Sequence, residues 1–169
     1  MAEVAMPEGR RKRPSESLEY GLNAITAILL GVMAFAICAQ VFGRYVLDDA
    51  PGWSEEVAKF LMAWMTMVAA GALARRDGHI AVTVLVDRLP GPLATLTGAF
   101  RDVLILGMAM TLAWFGYLFA EFGLSTRASA TEIPMVWPYA AIPAGGVLIS
   151  LMLILRRIED FHDAREAAR

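Results

Sequence analysis

The sequence predicts an all-α integral membrane protein with four transmembrane helices, on three observations. Of its 169 residues 57% are hydrophobic and only 19% charged, against about 45–50% apolar and about 25% charged in soluble domains. The apolar residues come in long blocks rather than alternating or as a one-sided stripe, and a block of about 20 crosses a bilayer. The basic residues gather between alternate blocks, as the positive-inside rule requires of a chain that crosses repeatedly.

Residues 1–21 read as a basic tail, with Arg10-Arg11-Lys12-Arg13 set between Pro7 and Pro14. Such a cluster beside a span is a topology signal rather than a nucleic-acid arm. The first span covers about 22–43. Its apolar run exceeds the about 7–15 residues of a signal-peptide core, and bulky Ile37 makes a poor lipoprotein box before Cys38. The run is therefore expected to stay in the membrane.

The second span covers about 57–74, closed by Arg75-Arg76, with Lys59 one turn inside, where its long side chain snorkels to the interface. The third covers about 103–119 and the fourth about 137–155, closed by Arg156-Arg157 and followed by a tail, 156–169. Residues 79–98 carry Ile80, Val82, Leu85 and Leu89 but are too interrupted to span. They are expected to form an interfacial amphipathic segment, broken at Pro90-Gly91-Pro92.

An even number of spans puts both termini on one side. Twelve of the 15 Lys and Arg fall in the two tails and the second loop, while the first and third loops hold only Arg44, Lys59 and Arg127. Both termini are thus expected to be cytoplasmic. The outward loops carry Asp48, Asp49, Glu55, Glu56, Glu121 and Glu132 and are net acidic. Trp53, Trp137 and Tyr139 stand at outer boundaries, as an aromatic belt would, while Trp64 and Trp114 are expected to pack inside spans.

The span middles exclude several functions. None holds Asp, Glu, Lys, Arg or His, whereas pumps and carriers keep ionisable groups there despite the cost. Thr26, Gln40, Thr66, Thr111 and Ser150 are the deepest polar side chains and are expected to be satisfied by hydrogen bonds within or between helices. His79 and His162 lie outside the spans and cannot be axial haem ligands in them. One cysteine, Cys38, gives neither a disulfide nor a cysteine metal site. No catalytic residue, metal or cofactor is expected. Gly31, Gly71, Gly107, Gly116, Gly145 and Gly146 allow helices to approach closely.

Charge concentrates in the first hairpin, from Arg44 to Glu56. Glu55 and Glu56 suit the positive end of a helix, Ser54 or Asp49 could cap it, and Arg44 could pair with Glu55 or Glu56 across the hairpin. At the other end, Gly78 could stop the helix after the basic pair Arg75-Arg76, leaving His79 at the interface.

Taken in order, Arg44-Tyr45-Val46, Trp53-Ser54-Glu55-Glu56, Trp64, Gly71-Ala72, Arg75 and Gly78-His79-Ile80 resemble the small permease subunit (DctQ type) of tripartite ATP-independent periplasmic, or TRAP, transporters. Ile133-Pro134, Trp137, Tyr139-Ala140 and Ile142-Pro143-Ala144-Gly145 resemble the start of that family's fourth span. Val82-Thr83-Val84 departs from the pattern, since an aspartate is expected before Asp87. The resemblance implies a non-enzymatic subunit of the bacterial inner membrane, without cofactor. Its partners would be a large permease subunit, a periplasmic solute-binding protein and membrane lipids. The large subunit would import an organic acid on an ion gradient, with the small one as its scaffold.

On this reading Arg44, Tyr45, Trp53, Glu55, Glu56, Trp137 and Tyr139 form an outer rim. Arg75, Arg76 and His79 form a cytoplasmic interface, and Gly71, Pro143 and Gly145 serve helix packing. A membrane anchor for a redox complex and a stand-alone small transporter are the alternatives. The scaffold reading expects Glu56→Lys to impair assembly or uptake more than Glu159→Lys, because nothing in the sequence gives the tail residue a partner.

Overall fold

The computed structural model describes residues 14–48, 52–75 and 91–167. Among the described residues, four helices are long and apolar enough to cross a membrane. α1 runs Pro14–Val46, α2 Trp53–Arg75 and α3 Gly91–Phe122. After a short 3-10 turn, Gly123–Ser125, come the four-residue α4, Val136–Tyr139, and α5, Ala141–Ala167.

The apolar runs fall where the sequence put them, but the helices outrun them. α1 starts at Pro14 rather than near 22, and α5 continues to Ala167 instead of ending near 155. At 1.5 Å per residue α1 is about 50 Å long, against a hydrocarbon core of about 30 Å. Charges such as Arg156-Arg157 mark where a helix meets water, and nothing between them and Ala167 is a Gly or Pro that would end it. The helical register is used there: Arg156 approaches Asp160 four residues on, at 3.8 Å, and the Arg165 guanidinium lies 4.7 Å from the centre of the Phe161 ring. α3 likewise begins at Gly91, so 91–98 is its first two turns and not part of a separate surface helix. The remainder of that expected segment, residues 79–90, lies outside the described residues.

The helices do not close into a bundle. α1 packs on α2, α2 on α5 and α5 on α3, while α1 and α3 make no contact among the described residues. The spatial order is therefore α1–α2–α5–α3, an open row. Burial follows it. In the most apolar 18-residue window of each helix, 39% of positions are buried in the central α5 and only 6% in the edge helix α1. The small core sits where α1, α2 and α5 meet, around Leu22, Val68, Ala72 and the fully buried Met152.

Deep hydroxyls are satisfied locally, as expected. Thr26, Thr66, Thr111 and Ser150 each donate to the carbonyl four residues back, at 2.7–2.9 Å. No water or second helix is required to hold them in an apolar medium.

The two ends of the row are distinct. At one, Gly52 of the first loop meets Ala130 of the third, 3.9 Å from where a Cβ would stand. At the other, the Ser15 backbone N–H donates to Glu159 at 3.1 Å, and its hydroxyl donates to the same carboxylate. The start of α1 and the far half of α5 thus share one end.

Candidate functional site

With no reaction centre expected, the candidate surfaces are the loop end and the helix seams. At the loop end the third loop, residues 126–135, folds into a small hairpin. Arg127 and Pro134 form a single antiparallel bridge. The N–H of Ala128 donates to the Ile133 carbonyl at 3.0 Å, and that of Met135 to the Thr126 carbonyl at 2.9 Å. Glu132 takes a left-handed φ of 54° to make the turn, with the Arg127 guanidinium donating to its carbonyl at 3.1 Å.

Glu56 clamps the tip of this hairpin. Its Oε1 accepts the Ala130 N–H at 2.9 Å, and its Oε2 accepts both the Thr131 N–H at 2.9 Å and the Thr131 hydroxyl at 2.8 Å. A carboxylate taking two backbone N–H groups and a hydroxyl fixes loop geometry more firmly than neutral hydrogen bonds would. Its position in the first turn of α2 favours the negative charge as well.

The pairing expected within the first hairpin is therefore not what forms. Glu55 pairs with Lys59, one turn on, at 2.7 Å. Glu56 turns to the third loop, and Arg44 acts on Glu55 only through its field. The reason is geometric: backbone N–H groups at a loop tip are fixed donors within reach, whereas the expected pair would have to order two long side chains across a hairpin. Ser54 is fully buried at the start of α2, and Asp49, its suggested alternative as cap, lies outside the described residues.

The other outer-rim residues divide between docking and exposure. Trp64 Nε1 donates to the Trp137 carbonyl at 3.1 Å, tying α2 to α4. Tyr139 stacks on Phe119 with ring centres 4.2 Å apart and planes inclined by 35°, tying α4 to α3. Arg44, Tyr45, Trp53 and the Trp137 ring face outward, Tyr45 at 80% exposure. Arg75 ends α2, about 30 Å from Glu56 by helix rise. Arg76 and His79 lie outside the described residues.

The glycines lie at the seams, with Gly145 and Gly146 on opposite flanks of α5. A Cβ on Gly145 would stand 2.7 Å from the Met67 sulfur of α2. One on Gly146 would stand 2.6 Å from the Ala109 carbonyl oxygen and 2.7 Å from the Ala113 nitrogen of α3. Gly71 meets Leu148 across the α2–α5 seam at 2.9 Å, and Gly116 meets Ile142 and Pro143 at 2.8–2.9 Å across the α3–α5 seam. Gly31 and Gly107 have nothing within 4 Å and face outward.

Two features escaped the sequence reading. Asp102, which precedes the third apolar run, is buried in the structure, held by Arg157 of α5 and by Arg101 at 3.1 Å. It locks α3 to α5 at the end opposite the loops. Second, Glu159 carries the start of α1 through Ser15 and is no neutral comparison for Glu56. Glu166, exposed near the end of α5, serves that purpose better. Glu56→Lys is expected to speed amide exchange across residues 128–133 while Glu166→Lys leaves it unchanged. Equal exchange in both variants would show that the clamp does not hold the loop.

The chain is 24% identical over 135 residues to the sialic acid TRAP transporter small permease protein SiaQ of Vibrio cholerae, covering 80% of this chain and 76% of that one. It is 26% identical over 154 residues to the C4-dicarboxylate TRAP transporter small permease protein DctQ of the same organism, covering 77% and 66%. The isethionate TRAP transporter permease protein DctMQ of Oleidesulfovibrio alaskensis is 24% identical over 130 residues, which are 75% of this chain but 20% of that much longer one. Residues 33–163, from the middle of α1 to near the end of α5, match the family described as tripartite ATP-independent periplasmic transporters, DctQ component. The chain belongs to that family, as a DctQ-type small permease, a multi-pass protein of the bacterial inner membrane.

Proposed function

We propose that this small permease is a non-enzymatic scaffold: it packs against a large permease subunit that imports an organic acid, delivered by a periplasmic binding protein, on an ion gradient. The observation that carries the reading is the open row. A four-helix protein acting alone would bury its polar path or its core between helices, whereas here most of the apolar surface of α1 and α3 is uncovered, with Phe35 at 76% and Phe115 at 64% exposure. Lipid can cover apolar surface as well as a helix does, but a family whose members include a much longer chain containing the matching region supports a partner within the bilayer on part of it.

α1 supplies a face suited to such contact. Leu22, Thr26, Leu29, Met33, Ala36, Gln40 and Gly43, spaced four and three apart, are wholly or partly buried on one side. Ala24, Ala27, Gly31, Ala34 and Cys38 repeat at the same spacing on the other side and are exposed. That spacing keeps a seam aligned along a partner helix crossing at about 20°. The loop end, with Glu56 holding the third loop, is the surface offered to the binding protein, and the basic tails keep both termini in the cytoplasm.

The test uses Gly31. Because a side chain there meets nothing of this protein, Gly31→Leu is expected to leave its melting temperature unchanged while reducing co-purification with the large permease and solute uptake in proteoliposomes by at least fivefold. Undiminished assembly would remove α1 from the interface. Uptake by this chain alone, without a large subunit, would overturn the scaffold reading itself.

A further inference from the structure

We propose that a groove between α3 and α5, at the end of the row away from the loops, is a specific phospholipid site, with an acyl chain along its wall and the phosphate on Arg157. The groove encloses about 500 Å³, within the about 300–1,000 Å³ of small-molecule sites. Val103 and Leu106 of α3 and Leu153 and Ile154 of α5 form its apolar wall, and Asp102, Arg157 and His162 are its polar residues. Asp102 directly precedes the apolar run of α3, and Arg157 and His162 follow that of α5. One end is thus at headgroup height while the wall descends into the hydrocarbon.

The charges favour a phospholipid over other occupants. Asp102 is buried, with 11% of its side chain exposed, whereas 47% of the Arg157 side chain is exposed. The carboxylate engages the guanidinium through one of its terminal nitrogens, and Arg157 lines the groove. A guanidinium has five N–H donors in a planar fork that matches a phosphate, so engagement by Asp102 leaves donors for a second anion. His162, five residues further along α5, is exposed and also lines the groove. A helix laid in the groove would have to take Arg157 and His162 out of water, which is costly for charge. A lipid headgroup leaves them at the interface. A free anion would leave the apolar wall bare.

The full chain released from micelles and examined by native mass spectrometry tests this, with added palmitoyl-oleoyl phosphatidylglycerol as probe and inorganic phosphate and diacylglycerol as competitors. One phospholipid is expected to remain bound. Diacylglycerol, lacking the phosphate, and phosphate, lacking the chain, should each compete at least tenfold less well than unlabelled phospholipid. Val103→Trp fills the groove from an exposed position without disturbing internal packing and is expected to reduce retention at least fivefold, as is Arg157→Gln. Should Arg157→Gln fail to fold, Val103→Trp decides alone. Equal retention in Val103→Trp and the parent would mean general annular lipid and overturn the site. Equal competition by diacylglycerol would remove the phosphate contact and overturn it too.

Discussion

Gly146→Leu is expected to be the most damaging single substitution in the helices. Overpacking costs about 1–3 kcal/mol where neighbouring side chains can give way. Here the obstruction is backbone: even a Cβ would lie 2.6 Å from the Ala109 carbonyl oxygen and 2.7 Å from the Ala113 nitrogen. Helices α3 and α5 must therefore move apart, and the loss is expected at or above the upper end of that range. Thermal unfolding in detergent measures it, with Gly107→Leu as comparison, since Gly107 lies in α3 but faces open space. Similar melting temperatures for the two variants would show that the α3–α5 seam is not the close contact described.

Arg157→Ala is expected to rank second, and to cost more than Asp102→Ala. Removing one member of a buried ion pair costs about 3–5 kcal/mol because the other is stranded. The two strandings are unequal. Asp102 is 8% exposed on a short side chain, whereas Arg157 is half exposed and its long side chain reaches solvent once released. Arg101 still contacts Asp102 in the variant, which holds Arg157→Ala near the lower figure, about 3 kcal/mol. A double-mutant cycle on the two residues should give a coupling well above the about 0–1 kcal/mol of an exposed pair. A coupling in that low range would mean water reaches the pair.

What the sequence made legible was set by hydropathy and by residue size. The four apolar runs follow from hydropathy, and the tight surroundings of Gly71 and Gly145 fit their small size. Helix ends were not legible, because Arg156-Arg157 marks where water begins and not where hydrogen bonding stops. Nor was the partner of Glu56, whose three donors lie 74 and 75 residues away on a loop with no regular period. Asp102 and Glu159 looked like ordinary charges beside apolar runs. Only the juxtaposition of α3 with α5, and of α1 with α5, gives them partners. That juxtaposition depends on which seams interlock, and apolar periodicity in a membrane does not specify it, since lipid is as apolar as any neighbouring helix.

The order α1–α2–α5–α3 also bears on how the chain is made. Synthesis delivers α3 before α5, yet the described residues of α3 touch no earlier long helix. α1 and α2 can pair as a hairpin as soon as both have entered the bilayer, whereas α3 must wait, surrounded by lipid, until the last helix slides between it and α2. Made after the other three long helices, α5 is therefore the keystone, joining a finished pair to a solitary helix. A chain arrested after Phe122 would hold three inserted helices and only one of the three lateral seams.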